Sequence, residues 1–198
     1  MNPIDTLDEM EADNRASLYR CRHEPEHRRA VLGSLIKLLS NSDPSIVHRA
    51  MIAAGRIGGA FDQTDALAEL VPLVTKHLSS DDDLIRRIAV GSLHCIGAHD
   101  SACAVPALIA ACDDDLLLDA ALLALANVSN GSRDAVKCFH RFSSHSKGKI
   151  RRITLRGLGS CNADDDASIA ILTKATNDRN NSVREMATKV LAKFGHQS

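Results

Sequence analysis

An all-α architecture, a solenoid of about five helix hairpins preceded by an amino-terminal capping helix, is what this sequence predicts. Three observations carry the prediction. Segments like "DDDLIRRIAVGSLHCIG" (81–97) recur down the chain, and their apolar residues fall on one helical stripe. The chain also holds no Trp, one Tyr and four Phe amid abundant Ala, Leu, Ile and Val, which implies thin layers of small side chains. A fixed period bears on every element, because each unit is then one copy of the same hairpin.

Residues 4–22, "IDTLDEMEADNRASLYRCR", fit no repeat, and their acid-first, base-last order suits a helix by its dipole. They are expected to cap the first hairpin, giving a capping segment 1–25 and a repeat domain 26–198. The repeat units span about 26–60, 64–98, 100–130, 132–162 and 164–196. Each opens with an apolar helical segment: "AVLGSLIKLLS", "ALAELVPLVTKHLSS", "SACAVPALIAAC", "RDAVKCFHRFSS" and "ASIAILTKATND". Pro72 and Pro106 occupy matching places in two of these, where proline starts a turn or kinks a helix.

The second helices align from Asp43, Asp82, Asp114, Lys147 and Asn180, with an apolar anchor at Ile46, Ile85, Leu117, Ile150 and Val183. Successive anchors are 39, 32, 33 and 33 residues apart. Four positions on stand Ala50, Ala89, Ala121, Thr154 and Ala187; eight on, Ala54, Leu93, Leu125, Leu158 and Leu191; eleven on, Ile57, Ile96, Val128, Cys161 and Phe194. These offsets trace one face of a helix, and the small residues let neighbouring helices approach closely. Asp43, Asp82, Asp114 and Asn180 suit the N-cap, Ser146 stands in where Lys147 breaks the pattern, and Gly58, Gly97 and Gly195 read as helix stops. Unit five, with Thr188, Lys189 and Lys193, reads as a polar closing cap.

"AVPALIAACDDDLLLDAALLALANV" and "NDRNNSVREMATKVLAKFG" resemble HEAT repeats, specifically the short bacterial variety of the phycobilin lyases, with its V-P-x-L, D-x-x-x-V-R and A-x-x-x-L-x-x-x-G pattern. The resemblance covers about residues 26–196 and implies a right-handed α-α superhelix. Val47 and Leu118 depart from the family's arginine one position after the anchor, and units one and four are degenerate. Where that arginine is kept, the resemblance implies a structural ladder with cap aspartates: Asp82, Arg86, Asp114, Arg151 and Arg184. His48, Arg56, Arg87, Arg152, Arg156, Glu185 and Lys189 should project from the second helices toward the concave side, making that face the candidate partner-binding surface.

Composition excludes several function classes. Lys plus Arg number 24 against 25 Asp plus Glu, so nothing global draws the chain to nucleic acid or to an anionic membrane. The amino terminus lacks an apolar h-region, and the longest apolar stretch, "LLLDAALLALANV", is too short to span a bilayer, so a cytoplasmic protein is expected. Six cysteines without a C-x-x-C pair read as unpaired core thiols.

The literal zinc-protease pattern "HEPEH" (23–27) contains Pro25, which favours a helix boundary over the continuous helix that chemistry needs. The same His-Glu pair resembles the di-iron motifs of HEAT-like hydroxylases, but those need several such pairs. The aspartate triplets at 81–83, 113–115 and 164–166 lack the spacing of a calcium loop and read as turns and caps. No catalytic, cofactor or metal residues are assigned. The expected function is a non-enzymatic scaffold or adaptor that holds another protein's peptide or domain on the concave face. One alternative, implied by the resemblance, is a bilin lyase-like subunit or chaperone binding a tetrapyrrole or its acceptor protein. The other is a DNA-binding face like that of HEAT-like glycosylases, which the neutral charge disfavours.

Overall fold

Residues that share one helical stripe can hide it only against another such stripe, and in this protein the stripe is the core. The computed structural model describes residues 2–60, 65–97, 101–129 and 131–195; the expected unit boundaries at 64, 98, 100, 130 and 196 lie outside them. The helices are α1 (Pro3–Ala12), α2 (Asn14–His23), α3 (Pro25–Leu38), α4 (Pro44–Ala60), α5 (Asp65–Ala68), α6 (Leu70–Thr75) and α7 (Asp83–Ile96). They continue as α8 (Val105–Ala111), α9 (Leu118–Val128), α10 (Arg133–Phe142), α11 (Gly148–Ser160), α12 (Asp166–Ala175) and α13 (Asn181–Lys193). Short 3-10 turns cover Lys76–Ser79 and Ser101–Ala104, and no strand occurs among the described residues. The chain divides into two compact units, Met1–Ala104 and Val105–Ser198, each described by itself.

In the first unit the amino-terminal segment bends at Asp13, whose carboxylate accepts the Ala16 N–H and caps α2 while its backbone closes α1. Leu7 and Met10 of α1 are buried, and Arg49 of α4 binds Glu11 and Asp8, which fixes α1 over the first hairpin. Glu24 separates α2 from α3, and Pro25 opens α3, as its ring and missing N–H require. His23 and His27 therefore stand on different helices. The first helix of the next hairpin is broken at Glu69, three residues before Pro72, and Pro106 follows the 3-10 turn that precedes α8.

The second helices bury the expected stripe. Ala50, Ala89, Ala121, Thr154 and Ala187 are all fully buried, and Ala54, Leu93, Leu125 and Leu158 are equally so. Only the ends relax: Ile46 and Phe194 are half-buried, and Val47 takes the buried place beside Ile46. In the first unit α4 packs on α7; in the second α11 packs on both α9 and α13. Gly97 and Gly195 end their helices with positive φ, but Gly58 does not end α4, which runs to Ala60. A Cβ on Gly58 would lie 2.6 Å from the Ile96 Cα, so the glycine serves close helix approach.

N-caps form at Asp43, Asp82 and Asn180, each accepting a backbone N–H two residues on. Asp114 does not hold the N-cap of α9: it accepts the Leu116 N–H at 2.8 Å in the turn before that helix, whose N-cap position is Leu117, without a side-chain bond. Ser146 does not cap α11; Lys147 holds the N-cap position without a side-chain bond. The free carbonyls there are claimed by Arg151, whose Nη1 donates to His145 O and Ser146 O at 2.8 and 3.0 Å. This arrangement recurs: Arg86 donates to Ser80 O and Arg184 to Asp178 O, each six residues upstream. Their second nitrogens reach Asp83 and Asn181. The arginine after the anchor thus staples its own interhelical turn. Arg151, 9% exposed at the side chain, also crosses to the next hairpin through two 2.7 Å bonds to Asp178.

Two predictions follow from this packing. Gly58→Ala should cost about 1–3 kcal/mol by urea denaturation, since backbone meets the added methyl, whereas Gly33→Ala, with open space around it, should not. The Arg151 guanidinium holds the Asp178 carboxyl below its ordinary value. The resulting stabilisation is complete above the unfolded carboxyl value of about 3.9 and is lost as pH falls through the lower folded value. Asp178→Asn should therefore be less stable than wild type by about 1.5–3 kcal/mol at neutral pH, a gap that closes below about pH 4.

Candidate functional site

Opposite the buried stripe, each second helix carries an outward one, at two, six and ten residues past the anchor. In the first unit these positions are His48, Ile52 and Arg56 on α4, and Arg87, Gly91 and Cys95 on α7. Between the two helices runs an open groove of about 680 Å³, lined by Leu18, Ile52, Gly55, Arg56, Gly59, Arg87, Ile88, Gly91, Ser92 and Cys95. Its walls are mainly apolar, with Arg56 and Arg87 exposed over them.

The second unit repeats the arrangement with more charge. Arg152, Arg156 and Ser160 of α11 face Lys189 and Lys193 of α13 across a groove of about 470 Å³, completed by Gly159, Met186 and Val190. Lys193 is tethered to Gly159 O and Asn162 at 2.6 and 2.7 Å, closing the end of α11. Arg56, Arg87, Arg152, Arg156 and Lys189 engage no acidic side chain or hydrogen-bond acceptor among the described residues. By contrast Asp119, at the same outward position of α9, is neutralised by Lys149, which holds its carboxyl below the usual range.

Of the seven residues expected on the binding face, the structure brings Arg56 and Arg87 together in one groove and Arg152, Arg156 and Lys189 in the other. His48 and Glu185 line neither; Glu185 is bound to Asn181 at the start of α13. Composition alone did not reveal the apolar floor, Leu18, Ile52 and Ile88, or the glycines that open it. The signal was present, because Ile52 and Gly91 sit at the same outward offset as Arg156 and Lys189.

His140 Nε2 lies 2.8 Å from Ser168 Oγ, which donates to Asp165 at 2.7 Å. Ser168 is fully buried with its proton committed to the N-cap carboxylate of α12, so it offers no surface to a substrate. Among the described residues no three His, Cys, Asp or Glu converge on a possible metal ion, and no helix is long and apolar enough to cross a membrane.

No family model matches the sequence, and no curated protein matches it. Solved structures do. A designed armadillo repeat protein superposes with a TM-score of 0.66 at 16% identity, over 96% of this chain and 97% of that one. Another, in complex with the peptide (KR)4, gives 0.70 at 16% identity over 97% and 98%. The complex of CpcE and CpcF of phycocyanin lyase from Nostoc sp. PCC7120 gives 0.57 at 18% identity over 99% of this chain and 78% of that one. At such identities the likeness is one of fold: the chain is an all-α repeat superhelix of the armadillo and HEAT-like kind.

Gly91 sits inside α7 with nothing within 4 Å of a built Cβ, so close packing does not require a glycine there. Glycine in a helix interior costs about 1 kcal/mol relative to alanine. Gly91→Ala should raise the urea midpoint at unchanged slope by about 0.5–1 kcal/mol, while placing a methyl in the groove.

Proposed function

We propose that the chain is a non-enzymatic interaction scaffold whose second helices hold an acidic, partly apolar peptide segment of another protein. The observation that carries this reading is the set of five unpaired cations standing over the two grooves. A cation without a carboxylate on its own chain keeps its full charge for a partner, and guanidinium groups take carboxylates in bidentate fashion. Apolar floor residues add affinity, while the charges add orientation and association rate. The fold likeness to a designed repeat protein solved with the basic peptide (KR)4 supports peptide holding as something this architecture can do. The charges here select the opposite sign.

A peptide alternating glutamate and leucine should bind the full chain in a fluorescence anisotropy titration, more weakly as salt rises. Its lysine-leucine counterpart should not. Arg87→Glu combined with Arg152→Glu should weaken binding at least about tenfold, or 1.4 kcal/mol. Equal affinity for both peptides, or an unchanged affinity in the double variant, removes this reading.

A second reading is a bilin lyase-like subunit, supported by the fold likeness to the phycocyanin lyase complex and by arginines able to pair with propionates. It requires a change in the absorption spectrum when a bilin is mixed with the protein.

A further inference from the structure

The two grooves differ in how their cations are spaced. In each unit the second helices of neighbouring hairpins run side by side in the same register. A Cβ on Gly55 of α4 would stand 3.2 Å from the Ser92 Cα of α7, and one on Gly159 of α11 would stand 3.0 Å from the Val190 Cγ2 of α13. Both contacts join a residue nine places past its anchor to one seven places past the next anchor. That register leaves Arg56 and Arg87 six residues out of level, or about 9 Å at the rise of an α-helix. Arg156 and Lys189 are two residues out of level, or about 3 Å, on facing walls of the second-unit groove.

Arg152 stands one turn before Arg156 on the same face of α11, so two guanidiniums and the Lys189 ammonium converge on one stretch of that groove. No carboxylate lines it, and Glu185, one turn before Lys189, is held by Asn181. Ser160 adds a hydroxyl donor, and Met186 and Val190 form the apolar part. A single carboxylate brings one negative charge and two acceptor oxygens, which leaves most of this positive charge unanswered. A phosphate monoester brings about −1.5 to −2 at neutral pH and three strong acceptor oxygens. Guanidiniums take such oxygens in pairs, and a lysine adds a point charge. A nucleic acid would need cations spread along several phosphates, and bases would need rings to stack on. Here the cations are gathered at one place, and the lining holds no aromatic ring.

We propose that the groove between α11 and α13 receives a phosphoserine or phosphothreonine of the partner segment, so that phosphorylation of the partner sets how tightly it is held. Arg156 and Lys189 take the phosphate oxygens from opposite walls, and Arg152 adds a second guanidinium from the preceding turn. The groove between α4 and α7 has the other character: its two arginines stand far enough apart for separate carboxylates, over a floor of Leu18, Ile52 and Ile88 that suits apolar side chains. This inference rests on the reading that the second helices hold a peptide, and it adds the chemical group that one of the two grooves selects.

The test compares two peptides on the full chain by fluorescence anisotropy: the glutamate-leucine peptide with one central serine, and the same peptide with that serine phosphorylated. The phosphopeptide should bind about tenfold more tightly. Arg156→Gln combined with Lys189→Gln should bring the ratio of the two affinities close to one. Both side chains are exposed, so the fold should survive, as circular dichroism will check. Arg87→Gln, in the other groove, should leave that ratio unchanged. Equal affinity of wild type for the two peptides overturns this proposal while leaving peptide holding intact, whereas binding of neither peptide removes both. A ratio that falls with Arg87→Gln and not with the Arg156 and Lys189 pair also overturns it. So does inorganic phosphate that displaces the glutamate peptide as well as the phosphopeptide does, or single-stranded DNA that binds more tightly than the phosphopeptide.

Discussion

Close approach of neighbouring second helices is the constraint on which everything else rests. A residue no larger than threonine stands fully buried four places after each anchor, and a glycine sits where α4 meets α7 backbone to backbone. Large side chains at these points would push the helices apart and leave voids that the flanking leucines cannot fill. The scarcity of aromatic residues is the compositional trace of this geometry. Phe139 shows the limit: its ring is fully buried only because Gly157 offers no Cβ, which would otherwise stand 2.4 Å from it.

A second device sets where each helix begins. The arginine after the anchor returns to the carbonyl six residues earlier, so it satisfies backbone acceptors in the turn and fixes the angle at which the second helix departs. Where the chain has Val47 or Leu118 instead, the position is simply buried. Charge and hydrocarbon are thus alternative answers to the same local need. Arg151 does both tasks at once, closing its own turn and reaching Asp178 of the next hairpin.

With the inner stripe committed to packing and the arginines after the anchors committed to turns, only the outward stripe is free for function. Arg56, Arg87, Arg152, Arg156 and Lys189 on it lack partners within the described residues, and its helix-interior Gly91 forfeits stability without packing need.

Much of this was legible in the residues alone. Period, caps and small-residue stripe determine helix hairpins that must stack, because each hairpin exposes one apolar face that no local interaction can hide. The offsets of Arg56, Arg87, Arg152, Arg156 and Lys189 also put each on the side of its own helix away from the small-residue stripe. Tertiary structure alone decided which of them share a groove and that Gly58 serves contact with Ile96 rather than a helix end. Those outcomes depend on distances between segments many residues apart. Helical periodicity assigns a side chain to a face, and only packing determines what stands opposite it.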